Sequence, residues 1–269
     1  MPLMKIAALQ MVSTPERDRN LDIARRLIGE AAAAGAQLVA LPEYFCLMGR
    51  RDDDKLAIAE SPGDGPIQAM LAAAAREHRL WVVGGTLPLR GADAAHALNT
   101  CLVFGPDGQP AARYDKIHLF AFDNGREHYD EGRTLNAGTQ PVALQAGPVR
   151  VGLSICYDLR FPELYRSLMH PPCDLIVVPA AFTHTTGQAH WELLLRARAV
   201  ENQSYVLAAA QGGTHENGRR TWGHSMVIDP WGEILACRPE GEGVVMAELD
   251  AARIAQVRMQ LPALAHRRL

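Results

Sequence analysis

The sequence predicts an α/β fold in which two sheets pack face to face, each covered by helices on its outer side, in four layers α-β-β-α. Three observations predict it. Short apolar runs that suit buried strands alternate with segments whose apolar residues recur at helical spacing. The strand–helix order of the first half recurs in the second. The 269 residues are 48% hydrophobic and 21% charged, which supports a large core without metal or disulfide.

In chain order, Lys5–Gln10 reads as a short buried strand. Thr14-Pro15 then offers a helix start, with Leu21, Ala24, Leu27, Ile28 and Ala31 at helical spacing until Gly35. Gln37–Leu41 is the next strand. Pro66–His78 is a helix with proline in its first turn and Ile67, Met70, Leu71 and Ala74 on one face. Trp81–Gly85 is a strand, and Thr100–Phe104 and Pro110–Tyr114 flank a GPDG turn as a hairpin.

The second half repeats this order. Val149–Ile155 is a strand, Phe161–Met169 a helix, Asp174–Val178 a strand, Trp191–Gln203 a helix and Tyr205–Ala209 a strand. Ser225–Ile228 and Glu233–Cys237 flank DPWG as a second hairpin. QLVALPEYF (37–45) matches DLIVVPAAF (174–182), and CLVFGPDGQPAA (101–112) matches SMVIDPWGEILA (225–236). No linker parts the halves. The expectation is one domain over 1–269 with internal pseudo-two-fold symmetry, its half-repeats spanning about 4–116 and 149–248.

Composition narrows the function classes. Lys plus Arg number 27 and Asp plus Glu 30, a net charge of -3, which leaves no basic footprint for nucleic acid or an anionic membrane. No run approaches the length of a membrane span. The N-terminal MPLMKIAALQMV lacks the pattern of a signal peptide. Five scattered cysteines (46, 101, 156, 173 and 237) contain no C-x-x-C pair, which argues against a disulfide framework or a zinc cage. A cytoplasmic setting with free thiols is expected, and no cofactor. His184, His190, His215 and His224 share a region but lack metal-triad spacing.

Buried strands of an α/β sheet end where reactive groups are placed, and three such ends stand out. QLVALP delivers Glu43, ARYD delivers Lys116, and VRVGLSI delivers Cys156. A thiol at a strand-to-helix turn, near helix-end dipoles and an ammonium, has a lowered pKa and serves as a nucleophile. Taken singly, each has a plain alternative: an inert core cysteine, a loop carboxylate, a surface lysine.

Together with the surrounding LPE, YDKIHLF and CYDLRFPE, these residues resemble the nitrilase superfamily of carbon–nitrogen hydrolases over about residues 4 to 250. The resemblance implies the same four-layer sandwich and a composite site, with Glu43 and Lys116 from the first half and Cys156 from the second. Ala180 stands where the repeat would place a second copy of Glu43. The resemblance also assigns Glu131, in YDEGRTLNAG, to orienting Lys116. Residues 185–232 look most like the superfamily's deaminated glutathione amidase branch, with the omega-amidases, which act on 2-oxoglutaramate, close behind. Two segments depart from the family pattern: Ala137-Gly138 replaces a common Pro-Gly, and 121–130 matches neither branch.

The implied reaction is hydrolysis of a terminal carboxamide of a small carboxylate-bearing substrate to acid and ammonia, through a thioester on Cys156. The backbone N–H of Tyr157 and Lys116 would stabilise the oxyanion. Candidate substrate-binding residues are Tyr157, Arg160, Phe182, Thr183, Arg219 and Arg220; for Arg160 the competing expectation is an ion pair with Glu163. Arg196 and Arg198, beside Glu192 and Glu201, read as structural ion pairs. The resemblance implies a homodimer or larger assembly, with the helices after Cys156 and around Trp191 as interface. An inactive dimeric scaffold is the alternative from another class.

Overall fold

The order of strand senses is the same in both sheets. In the first, Met4–Gln10 runs parallel to Leu38–Ala40, which runs parallel to Trp81–Val83; Ala97–Phe104 then joins antiparallel and turns back as Pro110–Asp115. In the second, Val149–Leu153, Leu175–Ala180 and Tyr205–Ala210 are parallel, and Ser225–Ile228 and Ile234–Arg238 follow antiparallel. The computed structural model describes residues 3–268.

Side-chain alternation explains the layering. Along the first strand, Ile6 and Ala8 enter a core shared with Val151, Leu153, Val177 and Leu207 of the second sheet. Ala7 and Leu9 point the other way, into a core with Leu27 and Ile28 of the helix Arg17–Ala33 and Leu71 of the helix Pro66–His78. Both faces of these strands are therefore buried, which is why they read as unbroken apolar runs instead of alternating ones. The helices Pro162–Ser167 and His184–Asn202 belong to the second half, and the chain continues into the helix Ala251–Gln260. The result is the α-β-β-α sandwich. Among the described residues no helix is long and apolar enough to cross a membrane.

The helix Pro66–His78 and the strand Ser225–Ile228 have the boundaries read from sequence. The helix expected at Trp191–Gln203 begins seven residues earlier, at His184. Thr183 caps the helix ahead of TTGQAH, and Gly187 faces Trp222 so closely that a Cβ would lie 2.3 Å from the Trp222 Cβ. The glycine is there for packing.

Each sheet has one further antiparallel strand beside its first. Ala143–Ala146 pairs with the adjacent Val149–Leu153, whereas Gly243–Leu249 crosses from the end of the second repeat to pair with Met4–Gln10. The half-repeat drawn to about 248 thus finishes inside the other half's sheet. Pattern matching between the halves does not reveal this exchange, because Gly243–Leu249 has no counterpart within 4–116.

Polar side chains also join the halves. Gln211 Oε1 accepts from Ser13 N at 3.0 Å, and Gln10 Oε1 accepts from Ser225 N at 2.9 Å. His215 adds a third link: Nδ1 lies 2.9 Å from Ser13 O, and Nε2 lies 2.8 Å from Thr221 Oγ1. Burial, reinforced by Arg219, pushes the His215 pKa down from 6.5 to about 4, against the pull of its bond to Ser13. The unfolded chain therefore binds this proton first as pH falls. The contribution is complete above about pH 6.5 and is lost on the way down to about pH 4, amounting to roughly 3 kcal/mol. Denaturant titrations should show stability declining over that window, and His215→Gln should flatten that part of the profile. An equally steep decline in the variant would assign it to other groups.

Candidate active site

Three loops converge where the two sheets meet. Glu43 follows the strand Leu38–Ala40, Lys116 follows Pro110–Asp115, and Cys156 follows Val149–Leu153. The structure brings all three together, with Glu131 beside them. Lys116 Nζ donates to Glu43 Oε1 at 2.8 Å and to Glu131 Oε2 at 2.7 Å and Oε1 at 3.0 Å. Lys116 and Glu43 are each 1% exposed.

Each carboxylate is held from several sides. Glu43 Oε1 also accepts from Asn99 Nδ2 at 2.9 Å, and Oε2 accepts from Ala181 N at 2.9 Å. The repeat position that lacks a second glutamate, Ala180, is thus followed by a backbone donor to the first one. Glu131 accepts from the Tyr44 hydroxyl and from Phe120 N, both at 2.7 Å. The Glu43 loop needs Gly85 beneath it: φ there is +50°, and a Cβ would sit 2.2 Å from Pro42 O.

These contacts set the protonation states. Burial draws the Lys116 pKa down, but Glu131 and Glu43 outweigh it and hold the ammonium above its ordinary value. Burial likewise opposes ionisation of Glu131, yet Lys116 and the donors from Phe120 and Tyr44 keep it below the usual carboxylate range. The thiol corrects the expectation from sequence. Cys156 is held well above an ordinary cysteine, first by burial and then by Glu43, and the attraction of Lys116 does not offset them. The proton rests on sulfur, beside the Glu43 carboxylate. Cys156 also has φ +48°, a left-handed conformation that is costly for a non-glycine residue.

Asp158 secures that turn, a role its place within CYDLR does not announce. Fully buried, it accepts from Ile155 N at 2.8 Å, from the Tyr114 hydroxyl at 2.7 Å and from His118 N at 3.0 Å. His118 Nδ1 lies 2.7 Å from the same carboxylate. Tyr114 and His118 flank Lys116, so one carboxylate ties the cysteine turn to the lysine strand. Sequence reading also missed Asn99 and Tyr44. A tyrosine directly after the loop glutamate was the available signal.

The remaining candidates divide. Tyr157, Arg160, Phe182, Thr183 and Arg219 all line the cavity over the thiol. Arg160 makes no ion pair with Glu163 among the described residues; it lies over the Phe182 and Tyr157 rings, 5.4 and 5.9 Å from their centroids. Arg220 is corrected: it is exposed and reaches Glu240 at 3.4 Å, because alternation along the strand Arg220–Trp222 turns it away from Arg219. Trp191 is fully buried, packed on Phe182 and donating to His224 O, so it belongs to the core. Arg196 and Arg198 pair with Glu192 and Glu201. The unusual segment 121–130 forms a small hairpin beside the cavity, attached by Thr185 Oγ1 donating to Glu127 Oε2 at 2.8 Å.

The family pattern described as carbon-nitrogen hydrolase matches residues 5–259. The chain belongs to the carbon-nitrogen hydrolase family. A deaminated glutathione amidase from Synechocystis is 44% identical over 266 residues, covering 97% of both chains. The omega-amidase NIT2 of Bos taurus is 40% identical over 270 residues, covering 100% of this chain and 96% of its own. The crystal structure of Nit3 from Saccharomyces cerevisiae, a member of the nitrilase superfamily, superposes with a TM-score of 0.90 at 31% identity, covering 99% of this chain and 97% of that one. This carbon-nitrogen hydrolase is accordingly an amidohydrolase with the nitrilase-superfamily fold.

The Asp158 bonds provide a test of how the hydrolase holds its site. Asp158→Asn, which loses the charge and part of the accepting capacity, should lower stability by roughly 2–4 kcal/mol, and Tyr114→Phe by about 1–3. Chemical denaturation reads both. An unchanged midpoint for Asp158→Asn would show that the clamp adds nothing net.

Proposed function

We propose that the protein is a cysteine-dependent amidase in which Glu43 is the general base, Cys156 the nucleophile and Lys116 an oxyanion donor. The observation that carries this reading is the Glu43 carboxylate, buried between the thiol and the Lys116 ammonium. Because the thiol is protonated at rest, Glu43 takes its proton as sulfur attacks the amide carbon. Negative charge on the carbonyl oxygen meets Lys116 and the backbone N–H of Tyr157. Collapse of the tetrahedral adduct breaks the C–N bond, and Glu43 returns the proton to the leaving nitrogen. Water, deprotonated by Glu43, then cleaves the thioester, releasing the acid and restoring the thiol. Glu131 positions Lys116 throughout.

The substrate we favour is deaminated glutathione, with 2-oxoglutaramate as the second reading; the similarity to relatives named for each activity supports both. The leaving groups differ. A primary carboxamide such as 2-oxoglutaramate releases ammonia, but the amides of deaminated glutathione are peptide bonds, whose cleavage releases an amine. Ammonia is therefore the expected product only for the second substrate. Assays of 2-oxoglutarate formation from both compounds should show the higher kcat/KM for deaminated glutathione. Cys156→Ala should abolish turnover while leaving the thermal transition in place, and Glu43→Gln should reduce kcat by about a hundred- to ten-thousand-fold. Full activity in Cys156→Ala would sink the mechanism.

We also propose a homodimer. Leu193 and Val200 on the helix His184–Asn202 are 68% and 48% exposed, and Trp231 and Leu235 on the neighbouring hairpin are 54% and 42% exposed. Arg196 Nε donating to Gly232 O holds the two elements side by side, which makes the apolar residues one patch. Sedimentation should give about twice the 29.3 kDa chain mass, and Trp231→Glu should shift it toward the monomer; a monomeric wild type would overturn the proposal.

A further inference from the structure

The nucleophile sits at the start of Cys156–Arg160, a single turn of 3-10 helix, and such a turn ends in carbonyl groups that lack partners of their own. Leu159 is fully buried, so its carbonyl cannot turn to water. Arg198, from the helix His184–Asn202, meets it: Nε donates to Leu159 O at 3.1 Å and Nη2 donates to the same oxygen at 2.7 Å. The remaining arm of the guanidinium, Nη1, donates to Glu201 Oε1 at 2.8 Å. Its central carbon stands 5.2 Å from the Tyr165 ring centroid, and the Tyr165 hydroxyl donates to Ser154 Oγ at 3.0 Å, just ahead of the turn.

Stability alone does not call for this arrangement. Arg198 is 5% exposed, and a buried ion pair is often no more stabilising than apolar side chains of the same volume. What Arg198 supplies is geometry. Cys156 keeps its left-handed φ of +48° only while the residues around it are held in place. Asp158 holds the start of the turn through Ile155 N, and Arg198 holds its end through Leu159 O. Without the second hold the turn can relax, and the thiol and the Tyr157 N–H move with it.

The same helix also leads to the base. Its cap, Thr183, follows closely on Ala181, whose N–H donates to Glu43 Oε2 at 2.9 Å. Base and nucleophile are therefore both referred to one rigid element 19 residues long. Glu43 is held at its N-terminal end, and the cysteine turn is held near its C-terminal end.

We propose that Arg198 is a positioning residue for the nucleophile, its fork on Leu159 O setting the Cys156 turn against Glu43 by way of the helix His184–Asn202. Lysine would be no substitute, because a single ammonium lacks the planar fork that serves Leu159 O, Glu201 and the Tyr165 ring together. This role rests on the amidase reading for turnover alone; the contacts at Leu159 are an independent observation.

The test uses Arg198→Lys and Arg198→Met, with Glu192→Gln as a control that removes an exposed pair from the same helix, each at a temperature where circular dichroism shows the protein folded. Turnover of deaminated glutathione and of 2-oxoglutaramate gives kcat and KM separately. The rate at which iodoacetamide alkylates Cys156, followed on the Cys156 peptide by mass spectrometry, reads the thiol without any amidase step. In Arg198→Met kcat should fall about 100-fold with KM little changed, as for reacting atoms displaced by about 1 Å, and in Arg198→Lys about 10-fold. Alkylation of Cys156 should slow in the same order, while Glu192→Gln should match the unaltered protein in both measurements. Wild-type kcat or wild-type alkylation in Arg198→Lys, a loss confined to KM, or an equal loss in Glu192→Gln overturns the proposal. Slower alkylation in the Arg198 variants of a protein that hydrolyses neither amide would overturn the amidase reading and leave the positioning role standing.

Discussion

The buried contact of Lys116 with two carboxylates is the constraint around which the site is organised. An isolated ammonium in this position would be driven to lose its proton, since removing an ion from water costs several kcal/mol even after the protein relaxes. Glu43 and Glu131 reverse that outcome, but two carboxylates around one ammonium leave a surplus of negative charge. That surplus explains the other contacts. Asn99, Tyr44 and the backbone N–H groups of Phe120 and Ala181 all point donors at the carboxylates. The thiol keeps its proton first because it is buried and then because Glu43 carries part of that surplus beside it. Under the proposed mechanism, a base poised against a neutral nucleophile would tie formation of the reactive sulfur to the arrival of an electrophile, which would protect the cysteine from adventitious chemistry between turnovers.

The two halves of the chain are held to this centre by unlike means. The first half contributes Glu43 and Lys116, the connection between the halves contributes Glu131, and the second half contributes the thiol. Neither half alone holds all of the proposed catalytic groups. The registry between them depends on buried side chains that reach across: Asp158 to Tyr114 and His118, Gln211 to Ser13 and the carbonyl of Glu43, and His215 to Ser13. Such contacts have defined geometry and tolerate little displacement, so they fix distances that apolar packing between the sheets would leave adjustable.

Much of this was legible before the structure. Buried parallel strands write themselves as QLVAL and DLIVV, and the residues that follow them are placed at the sheet ends by that fact alone. Glu43 and Cys156 stand at strand ends by that pattern, but choosing them, together with Lys116, as one set took the family resemblance. Partners contributed across the fold could not be located that way. Asn99 lies in an ordinary strand, and Ala181 acts through its backbone. The thiol pKa differs from the sequence expectation for a related reason: helix ends and a nearby lysine are visible locally, whereas burial and the charge of Glu43 belong to the assembled site. The strands Leu87–Arg90 and Gly243–Leu249 escaped because a short or half-exposed strand is defined by its neighbour more than by its own residues.

The exchange of Gly243–Leu249 into the first sheet has a consequence for biogenesis. The strand Met4–Gln10 is synthesised well before its antiparallel neighbour Gly243–Leu249. Until that neighbour emerges, the nascent first sheet carries an open apolar edge at Met4–Gln10, the kind of surface that recruits other strands. The pairing joins residues far apart in sequence, which delays closure. Dependence on chaperones, where it exists, should be concentrated in the interval before Gly243–Leu249 arrives.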